Sequence, residues 1–180
     1  MEEKRAFHTL ETQRLRFKKM TLSDGNAIHE YASNPDVSRF IGWPLMHSYG
    51  ETMAFVQEMM NKEEAGTHIY ANVIENDSDK VIGTVMLFNF DKVANKAEIG
   101  YVFHQDIWGK GYCTEAATIV CKYAFEVLGL HKIHAQVTAV NVGSSRVLEK
   151  NGFEKEGHLK DHYYIDDRYY DCLLYGKFQK

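Results

Sequence analysis

The chain has 180 residues, 44% of them apolar and 13% aromatic, with a formal net charge of −4 and an isoelectric point of about 6.1. These values argue against a disordered chain and a basic nucleic-acid-binding surface, and they fit one globular domain spanning residues 1–180. No stretch approaches the roughly 18 apolar residues of a membrane span, and the charged residues 1–5 lack the apolar stretch of a signal peptide. We therefore expect no membrane partner and a cytoplasmic location.

The three cysteines, Cys113, Cys121 and Cys172, are odd in number and have no C-x-x-C spacing. Each lies in apolar or helical sequence, so we expect reduced thiols in or near the core. No cluster of metal-binding carboxylates occurs at a recognisable spacing, and we expect no metal site.

The first half of the chain predicts four strands and two helices. Ser23 and Asp24 offer an N-cap to the first helix, which runs to about Ala32. The second helix covers residues 51–63, and Gly66 ends it. The strands follow from alternating or continuous apolar residues. They lie at residues 14–18, 68–74, 81–88 and 97–103.

The second half begins with the clearest periodic signal. Apolar residues recur every three or four positions from Tyr112 to Leu128 and stop at Gly129, which predicts a long helix. The remaining predicted elements are a strand at 132–138, a helix at 144–150, and strands at 154–164 and 169–176 joined at Asp166 and Asp167. Strand hairpins combined with helices entered from strands indicate an α+β (α/β layered) fold, a mixed sheet of about seven strands flanked by helices.

A glycine-rich loop, Trp108-Gly-Lys-Gly-Tyr112, joins a predicted strand to the long helix. Gly109 and Gly111 therefore lie at a helix N-terminus, where unpartnered N–H groups and the helix dipole attract anions, and Lys110 adds a positive charge. The spacing is not that of a Walker A loop, and Thr114 stands where a dinucleotide fingerprint has its third glycine. ATP and NAD are thus disfavoured, although two glycines are equally consistent with a tight turn.

Two blocks of sequence resemble the GNAT superfamily of N-acetyltransferases. The first, from Glu98-Ile-Gly-Tyr101 through the glycine loop to Ala116, is similar to the superfamily's coenzyme A-binding motif. The second, Asn141-Val-Gly-Ser-Ser-Arg-Val-Leu-Glu-Lys-Asn-Gly-Phe153, is similar to the next motif of the RimJ/RimL branch, which acetylates ribosomal-protein N-termini. Further similarity from residues 10–15 to 168–171 extends the resemblance over nearly the whole chain.

The resemblance implies acetyl-CoA as co-substrate, held where a mixed sheet is splayed at its centre. It implies that the backbone of Tyr101, Val102 and Phe103 pairs with the pantetheine arm, and that Asn141 and Ser144 lie near the thioester. It also implies that the glycine loop binds the pyrophosphate, with contributions from Trp108, Gly109, Lys110, Gly111, Tyr112 and Thr114. Many members carry Gln or Arg where this chain has Asp106, which we leave out of the anion site because an acid repels phosphate.

Acetyl transfer by direct attack needs a neutral amine, donors for the developing oxyanion and a proton for the departing thiolate. Glu98 is the first candidate for the general base, and His104 is the second. Many superfamily members have a tyrosine that acts as general acid where this chain has Leu148. We therefore assign protonation of the thiolate to Ser144, or to a water held by Asn141 and Ser144. Simpler roles stay open: Glu98 as a solvated or lysine-paired strand residue, and Ser144 as a helix N-cap.

Two further residues of the helix entry receive simpler roles. Cys113 lies where the helix dipole lowers a thiol pKa, yet its sequence neighbours include no suitable His or Asn, so we expect a packing role. Glu115 is expected to complement the dipole in the first helical turn.

The acceptor is a primary amine whose identity the sequence leaves open. The nearest branch favours a protein N-terminal α-amine, whereas other relatives favour a small amine such as a polyamine. The acidic residues of the final hairpin are Asp161, Asp166, Asp167 and Asp171. They favour a cationic acceptor, or they form only a solvated turn. His162 and Tyr163 lie in the same region, which lines the acceptor site in relatives.

The aromatic segment at residues 39–44 is a candidate wall of the acceptor cleft. A packing role is more plausible for Phe40 and Ile41 than for Trp43. The aromatic final hairpin also suggests a homodimer surface. A rival function, prompted by Leu148, is a non-catalytic acyl-CoA-binding or sensing domain on the same fold.

Overall fold

The computed structural model describes residues 7–42 and 45–179. Its strands are β1 (Leu15–Lys18), β2 (Ile69–Glu75), β3 (Lys80–Asp91), β4 (Lys96–Phe103), β5 (Lys132–Thr138), β6 (Glu154–Ile165) and β7 (Arg168–Phe178). They form one sheet in the order β1-β2-β3-β4-β5-β7-β6. Only β4 and β5 are parallel neighbours within this sheet; the other pairs are antiparallel. The predicted mixed sheet of seven strands is confirmed.

The α-helices of the described ranges are α1 (Gly25–Ala32), α2 (Pro35–Ser38), α3 (Tyr49–Glu64), α4 (Tyr112–Glu126) and α5 (Val142–Lys150), and three single turns of 3-10 helix accompany them. The sequence did not predict α2, a single turn that Asn34 caps and that has proline at its first position. The predicted start of α5 was two residues late, because Asn141 caps this helix.

The sheet is covered on both faces. A main core lies between one face and the helices α4 and α5, and it contains Ile99, Phe103 and Val120. A second core lies between the other face and α1 to α3, and it contains Tyr31 and Val102. Because side chains alternate along a strand, residues 98, 100 and 102 of β4 face the second core, opposite to Ile99 and Phe103.

The centre of the sheet is splayed between its two parallel strands. β4 and β5 are in register over three residue pairs and part after Glu98 and His134. β4 continues to Phe103 beside β3, and β5 continues to Thr138 beside β7. Among the described residues, the facing edges of 99–103 and 135–138 therefore have no strand partner. This gap confirms the splay that the family resemblance implied.

Within residues 7–42 and 45–179, no helix has the length and apolar character needed to cross a membrane. Across the same residues, no three or more His, Cys, Asp or Glu side chains are grouped so as to hold a metal ion. All three cysteines are free thiols; Cys121 and Cys172 are buried, and Cys113 is partly buried.

Candidate active site

A cleft of about 1080 Å³ opens where β4 and β5 part. It lies between α3, the adjoining face of β2 to β4, the end of β5 and the start of α5. Residues from all of these elements line it, and they include Glu98, Tyr101, Gln136, Thr138, Asn141 and Ser144. The fold thus brings Glu98 into the same cleft as Asn141 and Ser144, the other two residues predicted to be catalytic, which lie more than 40 residues later in the sequence.

The backbone of the glycine loop is suited to bind an anion. Gly109 and Gly111 have φ angles of +75° and +83°, a region that favours glycine, and a Cβ atom at Gly109 would meet open space. Among the described residues, no protein acceptor takes the N–H groups of Gly109, Gly111 or the first three residues of α4. Free donors at a helix N-terminus beside open space match the pyrophosphate of coenzyme A.

Side chains of the loop hold its shape. The indole Nε1 of Trp108 donates to the carbonyl oxygen of Phe103 (3.0 Å), which ties the loop to the end of β4. The hydroxyl of Tyr112 donates to Glu75, and the carbonyl of Thr114 accepts from Asn151 (3.2 Å). Trp108 is 52% exposed despite its bond to Phe103. Lys110 and Asp106 are both exposed.

Glu98 is buried at the fork between β4 and β5. Its Oε2 accepts a hydrogen bond from Nδ2 of Asn89 (2.9 Å) and lies 3.6 Å from Nε2 of His134. Burial lowers the pKa of His134 despite the opposing effect of Glu98, so the imidazole is neutral at pH 7. The simpler role of Glu98 as a solvated or lysine-paired residue is wrong, because it is 7% exposed and its neighbours are an amide and an imidazole.

Ser144 presents its hydroxyl to the cleft beside a second hydroxyl. The Tyr101 hydroxyl lies 3.0 Å from Oγ of Ser144 and donates to the Ser144 carbonyl oxygen (3.2 Å). Burial raises the pKa of Tyr101, so this phenol keeps its proton at neutral pH. Asn141 supplies the cap of α5, with its Oδ1 accepting from the Ser144 N–H (3.1 Å). The capping role considered for Ser144 is therefore wrong.

Other candidates lie away from the cleft. Leu148 is fully buried in the main core and offers no acid. His104, the second candidate base, does not line the cleft, and its Nδ1 accepts from the N–H of Asp106 (3.2 Å). Cys113 packs against the main core, and burial raises the pKa of its thiol. These placements agree with a packing role for Cys113, and of the two candidate bases only Glu98 lines the cleft.

The acids of the final hairpin lie outside the cleft lining. Asp171 accepts from the N–H of Asp161 (2.9 Å) and contacts His158, and Asp166 pairs with Arg39 (2.8 Å). The prediction that these acids favour a cationic acceptor is wrong for this cleft, since none of the four lines it and the carboxylates of Asp166 and Asp171 already have partners in Arg39 and in the hairpin. Of the residues predicted in β6, Tyr163 alone lines the cleft, with its hydroxyl 3.4 Å from Sγ of Cys172.

The aromatic segment contributes to the cleft differently from its prediction. Phe40 and Ile41 both line it, and the Phe40 carbonyl accepts from Oγ1 of Thr138 (3.3 Å). Trp43, the favoured wall residue, lies outside the described residues.

Sequence reasoning missed the charges that α3 brings to the cleft. Glu51 and Glu58, which are seven residues apart, both line it. Among the described residues, the other lining side chains of the Asp, Glu, Lys and Arg types are Lys62 and Glu98. Three carboxylates against one ammonium give this lining a negative balance. The spacing of two glutamates by two helical turns was a signal that they share one face of α3.

Comparisons with known proteins agree with this geometry. Residues 14–154 match the family model described as an acetyltransferase (GNAT) domain. The uncharacterized N-acetyltransferase YoaA of Bacillus subtilis is 32% identical, over 94% of this chain and 96% of its own. A spermidine N(1)-acetyltransferase of Vibrio cholerae is 27% identical, over 87% of this chain and 88% of its own.

A solved structure shows the same fold. RimL, a ribosomal alpha-N-protein acetyltransferase in complex with coenzyme A, has a TM-score of 0.85 and 18% sequence identity, covering 94% of this chain and 97% of its own. The splayed mixed sheet and the family model together define a coenzyme A-dependent acyltransferase. The chain belongs to the GNAT acetyltransferase family, as the two sequence blocks predicted. It is an acetyl-CoA-dependent N-acetyltransferase, and this sets aside the non-catalytic alternative.

Proposed function

We propose that this enzyme acetylates a primary amine that carries at least one further positive charge, with a polyamine as the type. The negative balance of the cleft is the observation that supports this assignment. A carboxylate at the fork suits the reacting amine. On α3, Glu58 pairs with Lys62 (2.6 Å) and Glu51 accepts from the His47 N–H (2.8 Å), so the two carboxylates carry one more negative charge than this lysine balances, which suits a second ammonium group. The relative from Vibrio cholerae is named for spermidine, which is an acceptor of this class.

The second candidate acceptor is the N-terminal α-amine of a protein. Its support is that the cleft is open to solvent, as a site that admits the end of a peptide chain must be. RimL, which shares the fold, is named for an acceptor of this class.

We assign the coenzyme to the gap between β4 and β5 and to the glycine loop. The open edge of residues 101–103 suits the amide groups of the pantetheine arm. The backbone at residues 109–112, with Lys110 and the neighbouring Trp108 and Thr114, suits the pyrophosphate. Acetyl-CoA supplies the activated thioester carbonyl.

We assign the proton transfers to two residues on opposite sides of the fork. Glu98 takes the proton from the acceptor's ammonium group, which leaves a neutral amine to attack the carbonyl. As the C–N bond forms and the C–S bond breaks, the Ser144 hydroxyl gives its proton to the thiolate and regains one from the attacking nitrogen through solvent. Asn141 positions Ser144, because its side chain caps α5 by accepting a hydrogen bond from the Ser144 N–H.

An acceptor panel tests the proposal. Release of free thiol from acetyl-CoA is measured with polyamines, a diamine, a monoamine of equal length and peptides with a free N-terminal alanine, and products are identified by mass spectrometry. We expect kcat/KM for polyamines to exceed that for the monoamine by about 100-fold, the effect of one to two charge-assisted contacts.

A matched pair of variants locates the second charge. Glu58→Gln is expected to raise KM for the polyamine with little change in kcat, whereas Glu64→Gln, an exposed glutamate of α3 outside the cleft lining, is expected to change neither. Peptides that outperform every polyamine, with no effect of Glu58→Gln, would establish the protein N-terminus as the acceptor instead.

A further inference from the structure

Arg14, which lies just before β1, reaches the glycine loop from a distant part of the chain. Its Nη1 donates to the carbonyl oxygen of Lys110 (3.1 Å), and its Nε donates to Oε2 of Glu115 (2.7 Å). The guanidinium carbon lies 4.4 Å from the ring centre of Tyr112. One side chain therefore contacts residues on both sides of Gly111.

The contact with Lys110 orients the backbone of the next residue. The described chain has no cis peptide bonds, so the peptide between Lys110 and Gly111 is trans and its C=O and N–H point in opposite directions. When Arg14 holds the carbonyl, the N–H of Gly111 points away from the guanidinium. The reverse orientation would turn a carbonyl oxygen toward a bound phosphate, which repels it.

The charge of Arg14 is already matched within the protein. Glu115 forms an ion pair with it and also accepts from Oγ1 of Thr12 (2.5 Å). Burial opposes ionisation of Glu115, but these hydrogen bonds outweigh it and lower the pKa of the carboxyl. A guanidinium engaged by a carboxylate, a carbonyl and a ring is suited to hold a backbone in place more than to bind phosphate directly.

We propose that Arg14 is a positioning residue for the coenzyme, fixing the Lys110–Gly111 peptide so that the loop donates its N–H groups to the pyrophosphate. The proposal rests on the assignment of the pyrophosphate to this loop. The ion pair of Arg14 and Glu115 then contributes to coenzyme affinity, whereas the role predicted for Glu115, complementing the helix dipole, would not.

Calorimetric titration of two ligands tests the proposal without any acceptor. Arg14→Gln is expected to raise the Kd for coenzyme A by about tenfold, the effect of one misdirected hydrogen bond to a charged group. The Kd for pantetheine, which has no pyrophosphate, is expected to stay within about twofold of wild type. A merely structural role would instead weaken both ligands alike.

Two further variants make the outcome decisive. Arg14→Lys keeps the charge but cannot bridge Lys110 and Glu115, so it is expected to behave like Arg14→Gln. Arg16→Gln removes a nearby arginine that bonds to Asn76 on the β2–β3 turn, and it should leave both Kd values unchanged. Full rescue by lysine would mean that charge alone acts, and it would overturn the positioning role, as would unchanged coenzyme A affinity in Arg14→Gln.

The same titration separates this proposal from the one on which it rests. Wild-type protein that binds pantetheine as tightly as coenzyme A would refute the placement of the pyrophosphate and the role of Arg14 with it. A large preference of wild type for coenzyme A that Arg14→Gln leaves intact would refute Arg14 alone.

Discussion

The phenolic oxygen of Tyr101 and the Oγ of Ser144 lie 3.0 Å apart, across the space between β4 and the start of α5. This pair supplies hydroxyl groups near the proposed thioester position. The tyrosine that many superfamily members use as general acid is absent here, because the buried Leu148 takes its place. The contact suggests that Tyr101 orients the Ser144 hydroxyl, while its raised pKa keeps the phenol protonated.

Removing these hydroxyls is expected to slow the chemical step. Ser144→Ala should lower kcat by about 100-fold, the low end of general acid catalysis, and Tyr101→Phe by about tenfold through loss of one hydrogen bond. Ser145→Ala is the matched control, because the Ser145 hydroxyl is buried on the same helix with no protein partner within the described residues. Steady-state kinetics at saturating acetyl-CoA measure the effect, and a Ser144→Ala enzyme of normal kcat would remove Ser144 from the mechanism.

Replacing the proposed base should change the pH profile. Glu98→Gln keeps the size of the side chain but cannot accept a proton, and kcat/KM is expected to fall by about 100-fold or more at pH 7. The loss should shrink as pH rises, because a growing fraction of the acceptor amine is then already neutral. A constant loss across pH 6–10 would point to a structural role for Glu98.

Filling the anion site should abolish coenzyme binding. Gly111→Glu adds a side chain at φ +83° and a negative charge among the free N–H groups. Gly129→Glu is its control, since Gly129 has φ +66° at the opposite end of α4 and open space around it. Both variants should lose similar thermal stability, and only Gly111→Glu should lose coenzyme A binding in a titration. Unchanged affinity in Gly111→Glu would refute the placement.

The cysteine at the helix entry should be chemically silent. Burial raises the pKa of Cys113, so little thiolate exists at pH 8 and slow alkylation by iodoacetamide is expected. Cys113→Ala should retain kcat within about threefold of wild type, because direct attack needs no acyl-enzyme. An acetylated Cys113 found by mass spectrometry during turnover would contradict this mechanism.

One ion pair near the start of the described chain should make stability depend on pH. The Nε2 of His8 lies 2.8 Å from Oε1 of Glu63, and this hydrogen bond raises the pKa of His8 above 6.5. Burial alone would raise the pKa of Glu63, but the hydrogen bonds from His8 and from the Tyr70 N–H, together with the nearby positive charges, outweigh burial and lower that pKa below 4.5. The pair therefore stabilises the fold fully between about pH 4.5 and 6.5, the ordinary values of the two groups, and it weakens above and below this window.

The Tm of His8→Gln tests this dependence. The raised pKa of His8 means that its contribution is complete below 6.5 and disappears as pH rises through the folded-state value. The Tm difference between wild type and variant should thus be larger at pH 5.5 than at pH 9. An equal difference at both values would show that the contact acts without the charge.

The sequence predicted those parts of the site that depend on local pattern. The helical period from Tyr112 and the glycines before it located the glycine loop at the start of α4, and two motif blocks contained Glu98 and Ser144, which line the cleft. Contacts between distant segments were beyond such patterns. Arg14 and Glu115 are about 100 residues apart in sequence, and only the pairing of β1 with β2 and the packing of α4 on the sheet bring them together.

The acidic lining shows the same limit. The final hairpin has four acids close in sequence, which suggested an electronegative site, but none of those carboxylates lines the cleft in the structure. Glu51 and Glu58 line the cleft because one face of α3 lies over it, and which face does so depends on how the second core packs.

The short seam between β4 and β5 has a consequence for how long the enzyme survives. Three residue pairs join the two halves of the sheet, so a ligand lying along both open edges adds its binding free energy to their cohesion. We expect proteases to cut the ligand-free enzyme faster than the acetyl-CoA complex, since local opening at the seam precedes cleavage. The metabolite that the enzyme consumes would then also govern its turnover in the cell, and a fall in acetyl-CoA would reduce the amount of catalyst together with the supply of its co-substrate.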